Sequence, residues 1–312
     1  MRRAKSETTE KSVEDAALGV PRQANTAGVT RFKYAGLGLL SLIFMFPLLL
    51  TFTNSFMSEV EIGLNYTTTL SIFDVVDGVS KKYVGFVLVP MQAVLTQYKA
   101  VLFEQPAFMT LLLNSVKITL PVVLGNVAVS LLCAYAFTIW QWRHKEKVFF
   151  IYIIVMLMPL QAVLVPNYII ADWLNIKDNY LAIILPGIFS PFGAFLLRQS
   201  MKAIPQEYFE AAKIDGASDW YIFWHVVLPQ MKSGIAALSM LVFIEYWNLV
   251  EQAIVFIKDY YREPLSIFLS RIADGQIALV FAASCVFMFL PLWFLAVGQK
   301  NLEKGIELSG VK

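Results

Sequence analysis

The sequence predicts an all-α integral membrane protein, and three observations support this prediction. Of the 312 residues, 58% are hydrophobic and only 15% are charged, whereas soluble domains average about 25% charged residues. Several uncharged apolar runs reach the length of about 20 residues that a helix needs to cross a bilayer. The polar segments between these runs differ in the sign of their charge, as loops on opposite sides of a membrane do.

The rest of the composition excludes several classes of function. The formal net charge of +2 is too small to favour nucleic acid as a partner. Cys133 and Cys285 both lie inside apolar runs, so we expect buried thiols rather than a disulfide or a metal site. His144 and His225 have no acidic or cysteine companions at ligand spacing. We therefore expect no enzymatic site and no cofactor bound by this chain.

The first third of the chain is expected to hold a tail, one span and a loop. Residues 1–33 are polar and basic without apolar periodicity, which predicts a mostly disordered tail. Residues 34–57 contain no charge and form the first predicted transmembrane helix, with a kink expected at Pro47. Residues 58–107 form a mixed, polar loop, in which the alternation over residues 83–89 predicts a short strand.

Residues 108–299 contain five more predicted transmembrane helices. Prolines lie inside four of these runs, where neighbouring helices must satisfy the carbonyl groups that each proline frees. Residues 300–312 are expected to form a polar C-terminal tail. The five predicted spans are Ile118–Trp142, Val148–Ala171, Asn179–Leu197, Ser233–Ile257 and Gln276–Gln299.

The distribution of lysine and arginine predicts the orientation of these spans. Most of the cations lie in residues 1–33, in the turn 143–147, in residues 198–232 and in the C-terminal tail. The loop 58–107 holds three lysines against five acidic residues. Because short cytoplasmic loops are enriched in lysine and arginine, both termini are expected to lie in the cytoplasm.

A central polar stretch, Glu207–Lys232, lies between the fourth and fifth predicted spans. A short helix is expected at its start, because Pro205 suits a first helical turn. Gly216 then offers a position of positive φ or of close backbone approach. Ser218 is expected to cap a second helix, Asp219–Val227. The stretch is therefore predicted to form two short helices, joined by a glycine turn, on the cytoplasmic side of the membrane.

This stretch resembles the EAA signature of ABC importer permeases, which reads E-A-A-x3-G-x9-I-x-L-P. Six of the seven fixed positions match, and Val226 stands where the signature has isoleucine. The location between the fourth and fifth of six spans is also that of the family. The matching residues are Glu210, Ala211, Ala212, Gly216, Leu228 and Pro229.

Further matches extend over roughly residues 110–312 and are individually weak. They are similar in order and spacing to the maltose-type carbohydrate permeases, in particular to their MalG-like subunit. The segments concerned are Asn114–Lys117, Cys133–Phe137, Met158-Pro159, Trp247-Asn248, Pro291 and Gly310–Lys312.

The resemblance implies a type I ABC importer permease fold of six transmembrane helices. A cytoplasmic coupling helix, within an EAA coupling loop at residues 205–232, would lie between helices 4 and 5. The implied function is that of a permease subunit in an ATP-driven, binding-protein-dependent importer, for a sugar or oligosaccharide. No G-x-x-x-x-G-K-[ST] phosphate loop is present, so ATP and Mg²⁺ are expected to be used by a separate ATPase subunit.

The resemblance also implies partners and a location. A second, MalF-like permease subunit, an ABC ATPase dimer, an extracytoplasmic solute-binding protein and a sugar substrate are expected, in a bacterial or archaeal cytoplasmic membrane. Glu210 would form a salt bridge to the ATPase, and residues 302–312 would also approach it. The connection 258–275 matches in position the family's loop that reaches into the binding protein. Its expected contact residues are Tyr260, Tyr261 and Arg262.

Acidic residues within the fifth predicted span need a separate explanation. A carboxylate inside a span is expensive and is a functional-site candidate. Glu245 and Asn248 would hydrogen-bond sugar hydroxyls in the pathway, and Tyr246 or Trp247 would stack on a sugar ring. Asn114 is a weaker candidate of the same kind. Glu245 and Glu251, six residues apart, would face different sides of one helix.

Two other functional classes remain open at this point. An ion-coupled secondary transporter would use Glu245 and Glu251 as a proton relay, but it leaves the EAA signature unexplained. A non-transporting membrane scaffold explains the spans alone. Among transported solutes, neutral sugars are favoured, because the interiors of the predicted spans contain no cations.

Overall fold

The computed structural model of the chain describes residues 26–66, 87–271 and 277–310. This part of the chain is helical throughout its regular structure and contains no strand. Residues 83–86 of the predicted strand lie outside the described residues, and residues 87–89 are irregular. Of the predicted disordered tail, residues 1–25 also lie outside them, whereas residues 26–33 are helical.

The chain divides into two compact units, residues 1–50 and 51–312. Helix α1, Thr26–Asn54, begins in the first unit and continues through Pro47 without interruption. Its segment Lys33–Asn54 has a mean hydropathy of 2.2 over 22 residues, so it is long and apolar enough to span a membrane. The helices that follow α1 belong to the second unit.

Thirteen further helices follow in the described residues. A π-helical turn, Ala100–Glu104, follows α3, and a second one, Phe223–Val227, continues α10 into a last turn, Leu228–Gln230. A 3-10 turn, Tyr260–Arg262, precedes α13. The helices are α2 Glu59–Tyr66, α3 Thr96–Lys99, α4 Pro106–Thr138, α5 Lys145–Met156, α6 Leu160–Trp173, α7 Leu181–Ile188, α8 Pro191–Met201, α9 Gln206–Ile214, α10 Asp219–Ile222, α11 Lys232–Trp247, α12 Glu251–Phe256, α13 Leu265–Ser270 and α14 Ile277–Gly310.

Helix α4 is the central element of the second unit. It packs against α7, α8 and α11, and α11 in turn packs against α14. The buried residues of α4 recur at spacings of three and four, so they form one stripe that faces the bundle. This stripe includes Leu111, Ile118, Val122, Asn126, Ser130 and Ala134.

A break between α7 and α8 is stabilised by a side chain of α4. The Asn126 Nδ2 group donates hydrogen bonds to the carbonyl oxygens of Gly187, at 2.9 Å, and Ile188, at 3.4 Å. The Gly187 carbonyl group gets no helical hydrogen bond from Pro191, since proline has no N–H group, and the Asn126 amide adds to the longer bond that the Ser190 N–H group donates at 3.3 Å. Gly193 lies so close to α4 that a Cβ atom there would be 2.2 Å from Ser130 Oγ. The fourth predicted span is therefore interrupted but remains packed.

In the part of the chain that the structure describes, four helical segments are long and apolar enough to span a membrane, or up to six if each of two bent helix pairs counts as one span. The pair α5 and α6 bends by 98° at residues 157–159, where Pro159 begins the new helix. The pair formed by residues 219–230 and α11 bends by 74°. The four segments that are not bent pairs are Lys33–Asn54, Pro106–Thr138, Leu181–Met201 and Ile277–Gln299.

Of the predicted boundaries that differ from the structure, two change how the spans are interpreted. The fifth predicted span, Ser233–Ile257, is not one helix, because α11 ends at Trp247 and α12 begins only at Glu251. The prediction that Glu245 and Glu251 face different sides of one helix is therefore wrong, since they lie on separate helices. Helix α14 continues past Gln299 to Gly310, so most of the predicted C-terminal tail extends the last span as helix.

Candidate functional site

The stretch of residues 205–232, here called the EAA stretch, begins with the amphipathic helix α9. Pro205 precedes it in an extended conformation, with φ −57° and ψ 137°, which suits a helix start. Phe209 is the buried residue of α9, and Glu210 and Ala211 are exposed. The helix therefore attaches to the bundle by one aromatic side chain and presents a polar face outward.

Helix α9 ends in a glycine cap of the Schellman type. Gly216 has a φ of +76°, and its N–H group donates to the Lys213 carbonyl oxygen at 3.1 Å. The N–H group of Ala217 donates to the Ala212 carbonyl oxygen at 3.0 Å. These two bonds and a contact between the residues at both ends define this cap, and Ala212 and Ala217 both pack on the same core. The predicted glycine turn is confirmed, and the cap explains the spacing A-x3-G.

The second helix of the EAA stretch starts at the predicted cap. Ser218 Oγ accepts a hydrogen bond from the Tyr221 N–H group at 3.2 Å. The helix then widens into a π turn and continues to Gln230, three residues beyond the predicted end at Val227. Because Pro229 cannot donate a backbone hydrogen bond, a local π turn is a reasonable way for the helix to pass through it.

Aromatic packing attaches this second helix to α4. Phe223 is buried, and its ring meets the Tyr135 ring edge-on at 5.4 Å. The Tyr135 hydroxyl group donates to the Asp219 carbonyl oxygen at 3.1 Å. The neighbouring Trp224 is 47% exposed. The second half of the EAA stretch is thus joined to α4 by Phe223 and Asp219, whereas α9 is attached to the bundle by Phe209.

The residues of the EAA signature divide into an accessible and a packed group. Glu210, Ala211 and Pro229 are exposed, while Ala212 and Leu228 are half-buried against the core. Glu210 forms no ion pair with any residue that the structure describes. Its carboxylate is therefore available to a partner, and the coupling role predicted for these residues stays a prediction.

A cavity of about 550 Å³ lies between the EAA stretch and the turn that joins α4 to α5. Its lining mixes charges of both signs, which is unusual for the interior of a membrane protein and fits a position at the membrane surface. The charged residues of the lining are Lys145, Arg198, Lys202 and Lys213 together with Glu146, Glu207 and Glu210.

Arg198 is a functional candidate that the sequence did not reveal. Its side chain is 2% exposed and forms an ion pair with Glu146 at 2.5 Å. Its Nε group donates to the Phe137 carbonyl oxygen at 3.1 Å, and its guanidinium carbon lies 3.8 Å from the centre of the Phe149 ring. In the sequence, Arg198 is only one cation among several, and nothing there distinguishes it as buried.

The four predicted pathway residues are in different environments. Trp247 is 1% exposed, stacks on Phe287, and donates from Nε1 to the Phe287 carbonyl oxygen at 3.1 Å. Asn114 is buried as well. Glu245 and Asn248 are exposed. Of these four residues, Glu245 and Asn248 are the two whose side chains are open to a ligand.

Asn114 instead connects α4 to the loop that follows α12. Its Nδ2 group donates to the carbonyl oxygens of Tyr261, at 2.7 Å, and Glu263, at 3.1 Å. Ser115 Oγ accepts from the Leu265 N–H group at 2.9 Å. The Glu263 carboxylate is buried and pairs with Arg271 at 2.7 Å and 2.9 Å. The loop is thus held to the central helix by hydrogen bonds.

Asp178 holds the same loop from the other side. Its carboxylate accepts hydrogen bonds from the N–H groups of Lys258, at 2.9 Å, and Asp259, at 3.2 Å. These backbone donors, together with the nearby Arg262 cation, lower the pKa of Asp178 below its ordinary value. Arg262 also donates to the Asp178 carbonyl oxygen at 2.8 Å. The loop geometry is therefore fixed by bonds within the chain.

The predicted binding-protein contacts lie on this fixed loop. Tyr260 and Tyr261 are 44% and 66% exposed, and their rings meet edge-on at 5.5 Å. Arg262 is exposed but engaged with two carboxylates, Asp259 at 3.5 Å and Asp178 at 3.8 Å. The two tyrosines are therefore the more available contacts, and their role stays a prediction.

Comparison with known proteins places this geometry in a family. Residues 126–306 match the family described as "Binding-protein-dependent transport system inner membrane component". The chain is 25% identical over 280 residues to the arabinooligosaccharides transport system permease protein AraQ of Halalkalibacterium halodurans, a match covering 89% of this chain and 94% of AraQ. It is 30% identical to the lactose transport system permease protein LacG of Rhizobium radiobacter, over 52% of this chain and 59% of LacG. It is also 30% identical to the sn-glycerol-3-phosphate transport system permease protein UgpE of Pectobacterium atrosepticum, over 64% of this chain and 73% of UgpE.

The fold is also found in a solved structure. A chain of a bacterial ABC transporter that imports the acidic polysaccharide alginate superposes with a TM-score of 0.71 at 21% identity, covering 90% of this chain and 99% of that one. A chain of the alginate transporter in complex with its pentasaccharide-bound periplasmic protein gives a TM-score of 0.56 at 15% identity, covering 93% and 99%. At these identities the likeness concerns the fold. Since the matched region covers more than half of the chain, this protein belongs to the family of inner-membrane components of binding-protein-dependent transport systems.

Proposed function

We propose that this chain is a transmembrane permease subunit of an ATP-driven importer, and that it receives the energy of ATP through the EAA stretch. The observation that carries the proposal is the exposed Glu210 face of α9, a helix stopped by the Gly216 cap. An exposed, unpaired carboxylate on a short, well-defined helix is suited to docking in a groove of a partner. The family to which the chain belongs supports this role.

The energy would be supplied by a separate ABC ATPase dimer, which binds ATP and Mg²⁺. Closure of that dimer would displace α9, and the Tyr135–Phe223 contact would pass the displacement to α4. Because packed helices move as rigid bodies rather than deform continuously, the spans would switch together between inward- and outward-facing states. This chain forms half of the pathway, and a MalF-like second permease subunit forms the other half.

We further propose that the chain crosses the membrane six times, with both termini in the cytoplasm. Of the two bent helix pairs, α5 and α6 then form the third span, whereas residues 219–230 lie outside the membrane and α11 begins the fifth span. The concentration of lysine and arginine in residues 1–33, 143–147 and 198–232 supports this orientation. The EAA stretch would then face the cytoplasm, between spans four and five.

The proposed substrate is a neutral sugar or oligosaccharide delivered by an extracytoplasmic binding protein. AraQ and LacG are named for arabinooligosaccharides and lactose. The exposed polar groups of Glu245 and Asn248 suit hydrogen bonds to hydroxyl groups, and the Glu245 carboxylate would repel an anionic solute. Tyr260 and Tyr261, on their rigid loop, are the proposed contacts of the binding protein.

The test is ATP-driven uptake by the reconstituted transporter, with its partner permease, ATPase and binding protein. Glu210→Ala is expected to lower uptake and binding-protein-stimulated ATP hydrolysis by about tenfold or more, because losing one partner of an interfacial charge pair costs about 2 kcal/mol or more. Glu207→Ala is the matched control, since Glu207 is an exposed acid on the same helix. Equal uptake by the Glu210→Ala and Glu207→Ala proteins would contradict the coupling role.

An ion-coupled transporter is the competing function. It predicts uptake driven by a proton gradient without the ATPase, and loss of that uptake in a Glu245→Gln, Glu251→Gln protein. In the structure Glu251 accepts a hydrogen bond from Gln161 at 3.0 Å. Proton-driven uptake by the chain in the absence of ATP would replace the proposed function with this one.

A further inference from the structure

Helix α5 is attached to the rest of the chain by few side chains. It buries one residue, Phe149, of its twelve, whereas Phe150, Ile151, Ile154 and Val155 are exposed. The Phe149 ring stacks against Phe195 of α8 at 6.4 Å and meets Phe137 of α4 at 5.3 Å. After Met156 the chain bends by 98° into α6. Helix α5 can therefore move relative to α6 if its single buried attachment is displaced.

Arg198 joins the ends of three helices at this attachment. Its Nε group bonds the Phe137 carbonyl oxygen, one of the last carbonyl groups of α4. Its Nη2 group bonds Glu146 in the first turn of α5, and the guanidinium plane lies over the Phe149 ring. A cation at a helix C-terminus and an anion at a helix N-terminus are both favourable. The fork of donors on one flat group, which lysine lacks, makes all three contacts possible together.

Arg198 is also close in the chain to the EAA stretch. It lies on the last turns of α8, eight residues before Gln206, at which α9 begins. The cavity of about 550 Å³ lies between α9 and the turn before α5, and Arg198, Glu146 and Glu210 all line it. From α8, the helix that precedes the EAA stretch, the Phe195 ring reaches Phe149 of α5 and the Arg198 guanidinium group reaches Glu146. The buried guanidinium group is therefore the charged link between α8 and the first turn of α5.

We propose that Arg198 is a positioning residue for transport, which carries the displacement of the EAA stretch to α5. The inference rests on the proposed function, since it concerns the step that follows ATPase contact. Displacement of α9 moves α8, and the Arg198 contacts draw Glu146 and Phe149 with it. Helix α5 then pivots at residues 157–159. Without the guanidinium group, α5 keeps its ring contacts with Phe137 and Phe195 but loses the charged contact, and it follows α8 less closely.

The first test is the number of solute molecules imported per ATP hydrolysed by the complete transporter in proteoliposomes. Arg198→Met and Arg198→Lys are expected to lower this ratio by about three- to tenfold, the usual range for residues that couple sites, while the complex still assembles. Glu146→Gln should lower it in the same direction, and Arg198→Met with Glu146→Gln should be no worse than Arg198→Met alone. Lys202→Met is the control, because Lys202 is an exposed cation that lines the same cavity and should leave the ratio within about twofold.

The second test follows the distance between α5 and α9 directly. Spin labels are attached to Ile151→Cys and Ile214→Cys, which replace exposed residues, after Cys133→Ala and Cys285→Ala. With Arg198 present, the distance distribution should stay narrow when ATP binds. In the Arg198→Met protein it should broaden or shift on ATP binding, which a merely structural loss of stability in both states would not produce.

Specific outcomes overturn the proposal. An import ratio in Arg198→Met equal to that of the unmodified transporter shows that α5 does not depend on this residue. A distance distribution in Arg198→Met that does not change when ATP binds shows the same. If Arg198→Met fails to assemble, Glu146→Gln decides, because the Glu146 side chain is 66% exposed and its amide has the same size; an unchanged ratio there also overturns the proposal. Absence of ATP-driven uptake in the unmodified transporter would instead refute the proposed function itself.

Discussion

Gly216 allows the geometry of the EAA stretch to be tested with one methyl group. Its φ of +76° lies in the left-handed region, which costs residues other than glycine roughly 1–2 kcal/mol. A Cβ atom at this position would meet nothing within 4 Å, so packing adds nothing to that cost. Gly216→Ala should therefore destabilise the end of α9 by about 1–2 kcal/mol, through backbone conformation alone.

Two further substitutions separate the possible causes. Gly216→Asn should cost less than Gly216→Ala, because asparagine visits the left-handed region more readily than other side chains do. Gly216→Pro should cost most, since proline fixes φ near −65° and removes an N–H group that here donates to Lys213. The expected order of damage is proline, then alanine, then asparagine.

The assay is amide hydrogen exchange of α9 in the assembled transporter, together with ATP-driven uptake. A cost of 1–2 kcal/mol corresponds to a population ratio of about 5–30, so the amides of residues 215–217 should exchange faster by that factor in Gly216→Ala. The control is Gly38→Ala in α1, where a Cβ atom also meets nothing within 4 Å but φ is not positive. There the local exchange should stay equal or slow, because alanine favours a helix over glycine by about 1 kcal/mol.

Two results would refute the reasoning. If Gly216→Asn were as damaging as Gly216→Pro, the positive φ would not be the controlling property. If Gly216→Ala left both exchange and uptake unchanged, the cap would not define the end of α9 in the working transporter.

Three other predictions concern the packing of the helices and the loop that follows α12. Gly193→Ala should lower the free energy of unfolding of the purified chain by about 1–3 kcal/mol, because the added Cβ atom would overlap Ser130 Oγ. An unchanged melting temperature would contradict this. Asn126→Leu should cost about 1–3 kcal/mol, since it removes the amide donor at 2.9 Å and leaves the Gly187 carbonyl group with the longer bond from the Ser190 N–H group at 3.3 Å, and a denaturation curve equal to that of the unmodified protein would count against it. The pKa of Asp178 is lowered by the Lys258 and Asp259 N–H groups. The stabilisation that its carboxylate gives to the folded loop is therefore fully present above the unfolded pKa of about 3.9, and it is lost as the pH falls through the lower folded pKa. Exchange protection of these two amides should therefore persist at pH 4 and above, and Asp178→Asn should weaken it; protection independent of both changes would disprove the role of this carboxylate.

The EAA stretch shows how much local sequence can predict. Ala212, Gly216 and Ser218 act through hydrogen bonds to residues at most five positions away, so residue type and spacing suffice to predict the turn and the caps. The extension of the second helix past Val227 was not predicted, because a proline in a helical pattern signals an end unless a π turn accommodates it.

The spans were predicted in type but not in continuity. Apolar length alone identifies a segment that can cross a membrane, and it merged α11 with α12 across the break at residues 248–250. Trp247, the last residue of α11, donates a hydrogen bond to the carbonyl group of Phe287, forty residues away in the chain, a contact that apolar length does not indicate. Glu245 and Glu251 consequently lie on separate helices, which no periodicity argument within one span would indicate.

The apolar runs, the charge of the loops and the EAA signature identify a membrane permease from residue order alone, because each is a property of a few neighbouring residues. Which polar residues are buried depends instead on partners distant in sequence. Arg198 meets a carbonyl group 61 residues away, and Asn114 meets one 147 residues away. Burial makes the first a link between helices and the second a loop anchor, while Glu245 and Asn248 stay open to a ligand. Only the tertiary structure separates these roles, because desolvation is set by the atoms that surround a side chain rather than by its neighbours along the chain.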